Sequence, residues 1–424
     1  MSNWLERDRN SIWHPFTPLK GMPEPEMLER AEGVNLYTKD GKKIIDVISS
    51  WWVNLHGHSH PYIANAIAEQ ANTLEHVIFA GFTHEPAIRL AERLLEILPE
   101  NQSKIFFSDN GSTATEVAIK MAFQYFHNQG EERKKIIAID GSYHGDTFGA
   151  MSVGDRGPFT TPFDPYLFQV EFIDFPDKGK EEEVWNQFKT LIDGGDVASF
   201  IFEPLVQGAS GMRFYSAELL DRMIAYAQQQ DVICIADEVM TGFGRLGTLF
   251  AADQLHHKPD IICLSKGLTG GVLPMGVTSC TDKIQEAYRT NDLMKTFFHG
   301  HSFTGNPMIC ASANASLDLL LAEECEVNRR RINERHLAFQ QQINGHSMVR
   351  NCRVLGTILA FDINTEKDTS YFNEARHHLY PYFISKGLLL RPLGNVIYLI
   401  PPYIISDSDL DYVYATIMEF LNSY

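Results

Sequence analysis

The chain has 424 residues, of which 44% are hydrophobic and 21% charged, the composition of a globular protein of two or three domains and far too long for a disulfide-stapled miniprotein. Asp and Glu number 54 against 36 Lys and Arg, a formal charge of -18, which repels phosphate backbones and anionic head groups and so speaks against nucleic acid or a membrane as partner. The first ten residues mix acids with bases, no apolar stretch is long enough to span a bilayer, and the six cysteines show no CxxC spacing, so a cytoplasmic protein with reduced thiols is expected.

Residues 33–46, with a turn at Lys39-Asp40-Gly41, read as a hairpin that stands outside the rhythm of the central part of the chain. From about residue 59 helical and strand patterns alternate. Amphipathic stretches over 60–76 and 84–98 precede a strand at 104–108, a helix at 113–127, a strand at 135–140 and a helix at 181–193. A strand at 197–203, a helix at 217–229 and strands at 232–236 and 260–264 come next. Strands without polar alternation, separated by helices, predict a mostly parallel central sheet with helices on both faces. A long helical region over 307–342 then leads into a smaller strand-and-helix pattern from 350 to 424. The expected α/β architecture is a segment 1–50 packing with the small domain, a large domain 51–320 and a small α+β domain 321–424.

In an open parallel sheet, ligands gather beyond the carboxyl ends of the strands, and four loops there carry polar residues. After 104–107 comes the run SDNGSTATE at 108–116. Thr113 and Glu116 have capping-box spacing, and a turn with Gly111 and Ser112 feeding a helix start suits a phosphate, although an ordinary helix cap has the same pattern. The second loop holds Tyr143, His144 and Gly145, where an aromatic ring can lie against a planar ligand or simply pack. The third is the acid pair Asp237-Glu238 ending an apolar strand, where a buried carboxylate needs a cationic partner. At the fourth, Lys266 stands at the mouth of the strand 260–264, followed by Gly267, Gly270 and Gly271. Lysine forms Schiff bases, and an imine lysine, an acid for a pyridinium nitrogen, a ring stacker and a phosphate cradle are together the requirements of pyridoxal 5'-phosphate (PLP).

Other motifs compete less well. GFGRLG at 242–247 is a literal GxGxxG, yet it begins six residues past the strand and no amphipathic helix follows, against the dinucleotide fingerprint. His56, His58 and His60 have metal-ligand spacing, which would suit a metal hydrolase, but no second dense His, Cys or Asp cluster accompanies them, so no metal is expected. Gly300-His301-Ser302 belongs to GHSFT, which lacks the final glycine of a nucleophile elbow.

Further motifs run the length of the chain: IWHPFT at 12–17, SSWW at 49–52, YHGDTFGAMS at 143–152, QGASGM at 207–212, ADE at 236–238, FHG at 298–300 and RPLG at 391–394. With these the chain resembles the class III aminotransferases of PLP fold type I. The resemblance implies that Lys266 carries the cofactor, Asp237 pairs with its ring nitrogen, Tyr143 covers the ring or substrate, and Gly111 with Ser112 seats the phosphate. It implies a homodimer with shared sites, in which the loop Gly300, His301 and Ser302 reaches the partner's phosphate. Arg391 would clamp a substrate carboxylate with two parallel hydrogen bonds, and Trp51 and Trp52 would line an aliphatic chain. The implied reaction is amination of 8-amino-7-oxononanoate to 7,8-diaminononanoate in biotin biosynthesis; another ω-amino acid:2-oxoacid aminotransferase of this class is the alternative. S-adenosyl-L-methionine is the first expected donor. Lysine is the second, because Phe16 replaces a tyrosine common in adenosylmethionine-using members and His301, like Phe16, matches relatives that take lysine.

Overall fold

The computed structural model describes residues 3–21, 23–365, 369–370 and 373–423. Seven strands form its main sheet: β1 Gln102–Ser108, β2 Lys135–Ile139, β3 Glu171–Ile173, β4 Val197–Phe202, β5 Ile233–Asp237, β6 Ile261–Leu264 and β7 Gly276–Thr281. Their order is β1-β7-β6-β5-β4-β2-β3. The pairs β5–β6, β5–β4, β2–β4 and β2–β3 are parallel. Only β7 is reversed, antiparallel to both β6 and β1. Every residue of β4, β5, β6 and β7 is buried, which is why the first three read as largely apolar runs. Strand β7 escapes such a reading because its Thr278 and Ser279 are polar; their hydroxyls donate to Ala114 O at 2.8 Å and to Gln102 Oε1 at 2.6 Å.

Alternate side chains of each strand enter two separate cores. Ile233, Ile235, Ile261 and Cys263 meet the apolar face of the helix Gly111–Gln129. On the opposite face Phe200, Phe202, Cys234, Ile262 and Leu264 join the core that includes the helices Glu85–Ile97, Glu181–Asp193 and Ala217–Gln229. The predicted helix over 307–342 is two helices, Pro307–Leu320 and Glu323–Ile343. Glu323, Glu324 and Glu326 fill the first turn of the second, where acids complement the positive end of a new helix.

The hairpin Asn35–Thr38 and Lys43–Asp46 sits in a four-stranded sheet, and Lys43–Asp46 runs parallel to Leu388–Leu389 from the far end of the chain. A three-stranded antiparallel sheet of Val349–Leu355, Ile358–Ile363 and Val396–Leu399 lies with the helix Asp407–Ser423 in the C-terminal part. Among the described residues no helix is long and apolar enough to cross a membrane.

Candidate active site

The carboxyl ends of β5 and β6 open into a cavity of about 700 Å³ whose lining includes Lys266, Asp237, Tyr143, Gly111, Ser112 and Trp52. Lys266 stands one residue beyond β6, after Ser265, and starts the short 3-10 turn Lys266–Thr269 with a left-handed φ of 42°. Such backbone strain in a non-glycine residue persists only where its surroundings hold it. Here Ser265 Oγ donates to Met275 O at 2.6 Å and Thr269 Oγ1 to Leu273 O at 2.5 Å. Lys266 Nζ stands 4.8 Å from the centroid of the Trp52 ring. Burial lowers the pKa of this amine, while Asp237 and Glu203 pull it back up, so the neutral, nucleophilic form is more accessible than in water.

Asp237, buried at the end of β5, accepts from Val239 N at 3.0 Å on Oδ1 and from His144 Nδ1 at 2.7 Å on Oδ2. A carboxylate only accepts, so the His144 proton sits on Nδ1; its Nε2 is buried and has no protein partner. Glu203 follows β4 as Asp237 ends β5. Its two oxygens accept from Tyr143 N at 3.0 Å and Gly208 N at 2.9 Å, and burial raises its pKa to about 7. Burial also raises the pKa of the Tyr143 phenol, helped by Asp146 beside it.

The helix at Gly111 is capped by Asn110, three residues before the Thr113 that its capping-box spacing predicted. Asn110 Oδ1 accepts from Thr113 N at 3.0 Å and Thr113 Oγ1 from Asn110 N at 3.1 Å. Glu116, the expected partner of Thr113, instead accepts from Gly149 N at 2.7 Å and Ala150 N at 3.1 Å. Two glycines let backbone crowd around this helix start. A Cβ on Gly111 would lie 2.7 Å from Val239 Cγ1, and one on Gly145, whose φ is 122°, would lie 2.3 Å from Ser112 Oγ. The bare N–H groups of a first helical turn thus face the cavity from a tightly walled seat.

Trp51 and Trp52 belong to a turn in which Ser49, Ser50, Trp51 and Trp52 all have positive φ, 52°, 46°, 72° and 73°. Four L-residues in this region cost about 1–2 kcal/mol each. Trp52 Nε1 donates to Tyr398 Oη at 3.1 Å and Ser49 Oγ to Ile400 O at 2.7 Å. Trp51 lies outside the cavity lining, 5.0 Å from the Arg391 guanidinium and 5.7 Å from Phe16. Gly300, His301 and Ser302 do not line the cavity of their own chain.

The competing motifs have other partners. Arg245 of GFGRLG is buried and donates to Pro401 O, Trp52 O and Asn54 O, which braces the tryptophan turn. The three histidines diverge: His56 bonds Ser316, His58 bonds Asp46, and His60 precedes the helix Pro61–Thr73. No group of three or more metal-ligating side chains occurs among the described residues. Glu238, the second acid of the pair, accepts from Thr241 Oγ1, Ala251 N and Ala252 N, and burial raises its pKa to about 7. The folded chain therefore keeps a proton that the unfolded chain releases near 4.5, and the stability it contributes falls as pH rises through that window. Against Glu238→Gln, the wild type is expected to lose denaturant resistance between about pH 4.5 and 7, a difference that unfolding curves at several pH values will read.

Residues 20–421 match the family described as aminotransferase class-III. The chain belongs to that family. This class III aminotransferase is 48% identical over 419 residues to the adenosylmethionine-8-amino-7-oxononanoate aminotransferase of Synechococcus elongatus, covering 97% of this chain and 98% of the relative. The crystal structure of adenosylmethionine-8-amino-7-oxononanoate aminotransferase from Methanocaldococcus jannaschii superimposes with a TM-score of 0.94 at 34% identity, covering 99% of this chain and 98% of the other. An amine transaminase from an uncultivated Pseudomonas species, solved in a PLP-bound form, gives 0.90 at 27% identity over 97% and 98% of the two chains. The α/β fold with a mostly parallel sheet is that of these class III enzymes. Sequence reasoning does not pick out Glu203, although the rule that finds Asp237, an acid at the carboxyl end of a buried strand, applies to it equally. No local signal marks the Ser112–Thr147 hydroxyl pair at 2.8 Å.

Proposed function

We propose that this aminotransferase converts 8-amino-7-oxononanoate to 7,8-diaminononanoate with PLP as cofactor, S-adenosyl-L-methionine as first donor and lysine as the competing one. The observation that carries this is the placement of Lys266, whose amine shares one cavity with a buried carboxylate, an indole wall and a glycine-walled helix start. The residues present fit PLP. The seat between Gly111 and Gly145 is one a Cβ would fill, and His144 Nε2 is a buried polar atom with no protein partner at the same cavity. When bound, PLP supplies an electron sink for charge left on the amine-bearing carbon.

The chain's own groups do the rest. Lys266 would hold the cofactor through its amine and, with that amine free, would be placed to take up and return a proton at the substrate carbon. Asp237, oriented by His144, holds positive charge on the ring nitrogen. Gly111 and Ser112 receive the phosphate, and Tyr143 covers the ring. Trp51, Trp52 and Phe16 line the path of the aliphatic chain, and Arg391 binds the substrate carboxylate. Arg391→Ala is expected to raise KM for the oxo acid about tenfold to a hundredfold, the loss of about 1.5–3 kcal/mol for a charged hydrogen bond, with kcat little changed; initial rates against oxo-acid concentration will read it.

The loop Gly300, His301 and Ser302 would complete the site of a second copy in a homodimer. Support comes from Phe298 and Phe303 on that loop and from Ile78 and Phe82, which expose 68%, 59%, 59% and 62% of their surface. His84 Nε2 bonds Gly305 O at 2.7 Å and ties the two segments together, and large apolar side chains exposed near one another mark interaction surfaces. The six cysteines are all free and five are buried, which supports a reducing compartment such as the cytoplasm. Single-turnover absorption spectroscopy with S-adenosyl-L-methionine, then lysine, followed by oxo acid and product analysis, tests the reading. A first half-reaction with one of these donors and 7,8-diaminononanoate in the second is the expected result. Amination only of unrelated 2-oxoacids would overturn it in favour of a general ω-transaminase.

A further inference from the structure

The four left-handed residues of the tryptophan turn are held by a network that the reaction itself does not use. Asp46, at the end of the strand Lys43–Asp46, has a fully buried carboxylate. Its Oδ1 accepts from Ile48 N at 3.1 Å, just before the turn, and its Oδ2 from Ser50 Oγ at 2.8 Å, within it. The same Oδ2 faces His58 Nε2 at 3.0 Å, after the turn. His58 is not free to wander. Its backbone exchanges two hydrogen bonds with Gly33, at 2.7 and 3.2 Å, and its Nδ1 is 3.4 Å from Asn54 Nδ2. Asn54 Oδ1 in turn accepts from Gly57 N at 2.7 Å. One carboxylate therefore bonds the entry, the interior and the exit of the turn, and the histidine closes the circuit from a backbone bridged to Gly33.

We infer that Asp46 and His58 form a positioning pair that keeps Ser49–Trp52 left-handed and so aims both indoles, Trp52 at Lys266 and Trp51 at Arg391. The inference rests on the reading of these indoles as the wall for the oxo acid's aliphatic chain. A left-handed turn of ordinary L-residues relaxes once its anchors are cut, and relaxation carries the indoles off their targets while the carboxyl ends of β5 and β6, which take part in none of these hydrogen bonds, stay in place. Neither Asp46 nor His58 lines the cavity, so the loss falls on substrate binding, not on the proton transfers at Lys266.

The test is a KM-against-kcat split in the cofactor-loaded enzyme. His58→Ala is expected to raise KM for the oxo acid at least about tenfold, with kcat within about threefold of wild type and the cofactor's absorption spectrum unchanged. His58→Gln, whose amide NH2 can still reach Asp46 Oδ2, is expected to recover most of the loss. Ser50→Ala cuts a single bond of the same hub and should shift KM in the same direction by a smaller factor, which keeps the test open if His58→Ala folds poorly. Unchanged KM in His58→Ala and Ser50→Ala, or loss of kcat, KM and cofactor absorption together with no recovery in His58→Gln, would overturn the inference. Failure of the wild type itself to aminate the oxo acid would instead strike at the proposed function.

Discussion

Lys266→Ala lowers kcat by at least about 10⁴-fold, the upper end of what a positioned acid–base group contributes, and leaves a folded protein. The size of the loss reflects the lack of an understudy. Lys266 is the lysine in the lining of this cavity, its backbone is pinned in a left-handed conformation, and its amine is made more readily neutral by burial. Lys266→Arg fails for a different reason, since a guanidinium stays charged and cannot act as a nucleophile. Product formation, read beside circular dichroism to establish folding, gives the comparison. Borohydride reduction of the loaded wild type followed by peptide mapping supplies the independent readout, with pyridoxyl expected on Lys266. A label on another residue, or an alanine variant within a hundredfold of wild type, refutes the role.

Asp237→Asn is expected to lower kcat about 10³-fold. The exchange preserves shape: Val239 N still has an oxygen to bond, and His144 keeps a neighbour of the same size. What disappears is a negative charge; two opposite unit charges about 4 Å apart attract by about 4 kcal/mol at an effective dielectric near 20, and about 1.4 kcal/mol corresponds to one decade of rate. Asp237→Glu keeps the charge but lengthens the arm and breaks the His144 contact, and so it should fall between the two. Steady-state rates for the pair, with cofactor binding followed by absorption, decide the matter; an asparagine variant within tenfold of wild type would remove Asp237 from the machinery.

Legibility in the sequence tracks locality. The helices Glu181–Asp193 and Ala217–Gln229 have the bounds their apolar periodicity predicts, and β4, β5 and β6 announce themselves as apolar runs closed by a polar residue. The same runs deliver Asp237 and Lys266 to one place, because neighbouring parallel strands end on one edge of a sheet. Strand β7 is not legible, since Thr278 and Ser279 look exposed until their partners from the helix at Gly111 and from β1 are known. Neither is the conformation of Ser49–Trp52. That turn contains no glycine or asparagine to signal positive φ; it is imposed by Asp46, Tyr398 and Ile400, which only the folded chain brings together. Trp51, Phe16 and Arg391 stand out singly in the sequence, and their meeting likewise depends on segments from opposite ends of the chain.

The bonds from Ser49 to Ile400 and from Trp52 to Tyr398 span 351 and 346 residues. During translation the lysine strand leaves the ribosome well ahead of the residues that cock the indoles, and at about 5–20 residues per second the interval is on the order of ten seconds. Over that interval the turn that carries both tryptophans lacks its far anchors, and links of such long range are the slowest to close. The tryptophan turn is thus among the last parts of this fold to be fastened as the chain is made, since both of its far anchors lie within the final thirty residues.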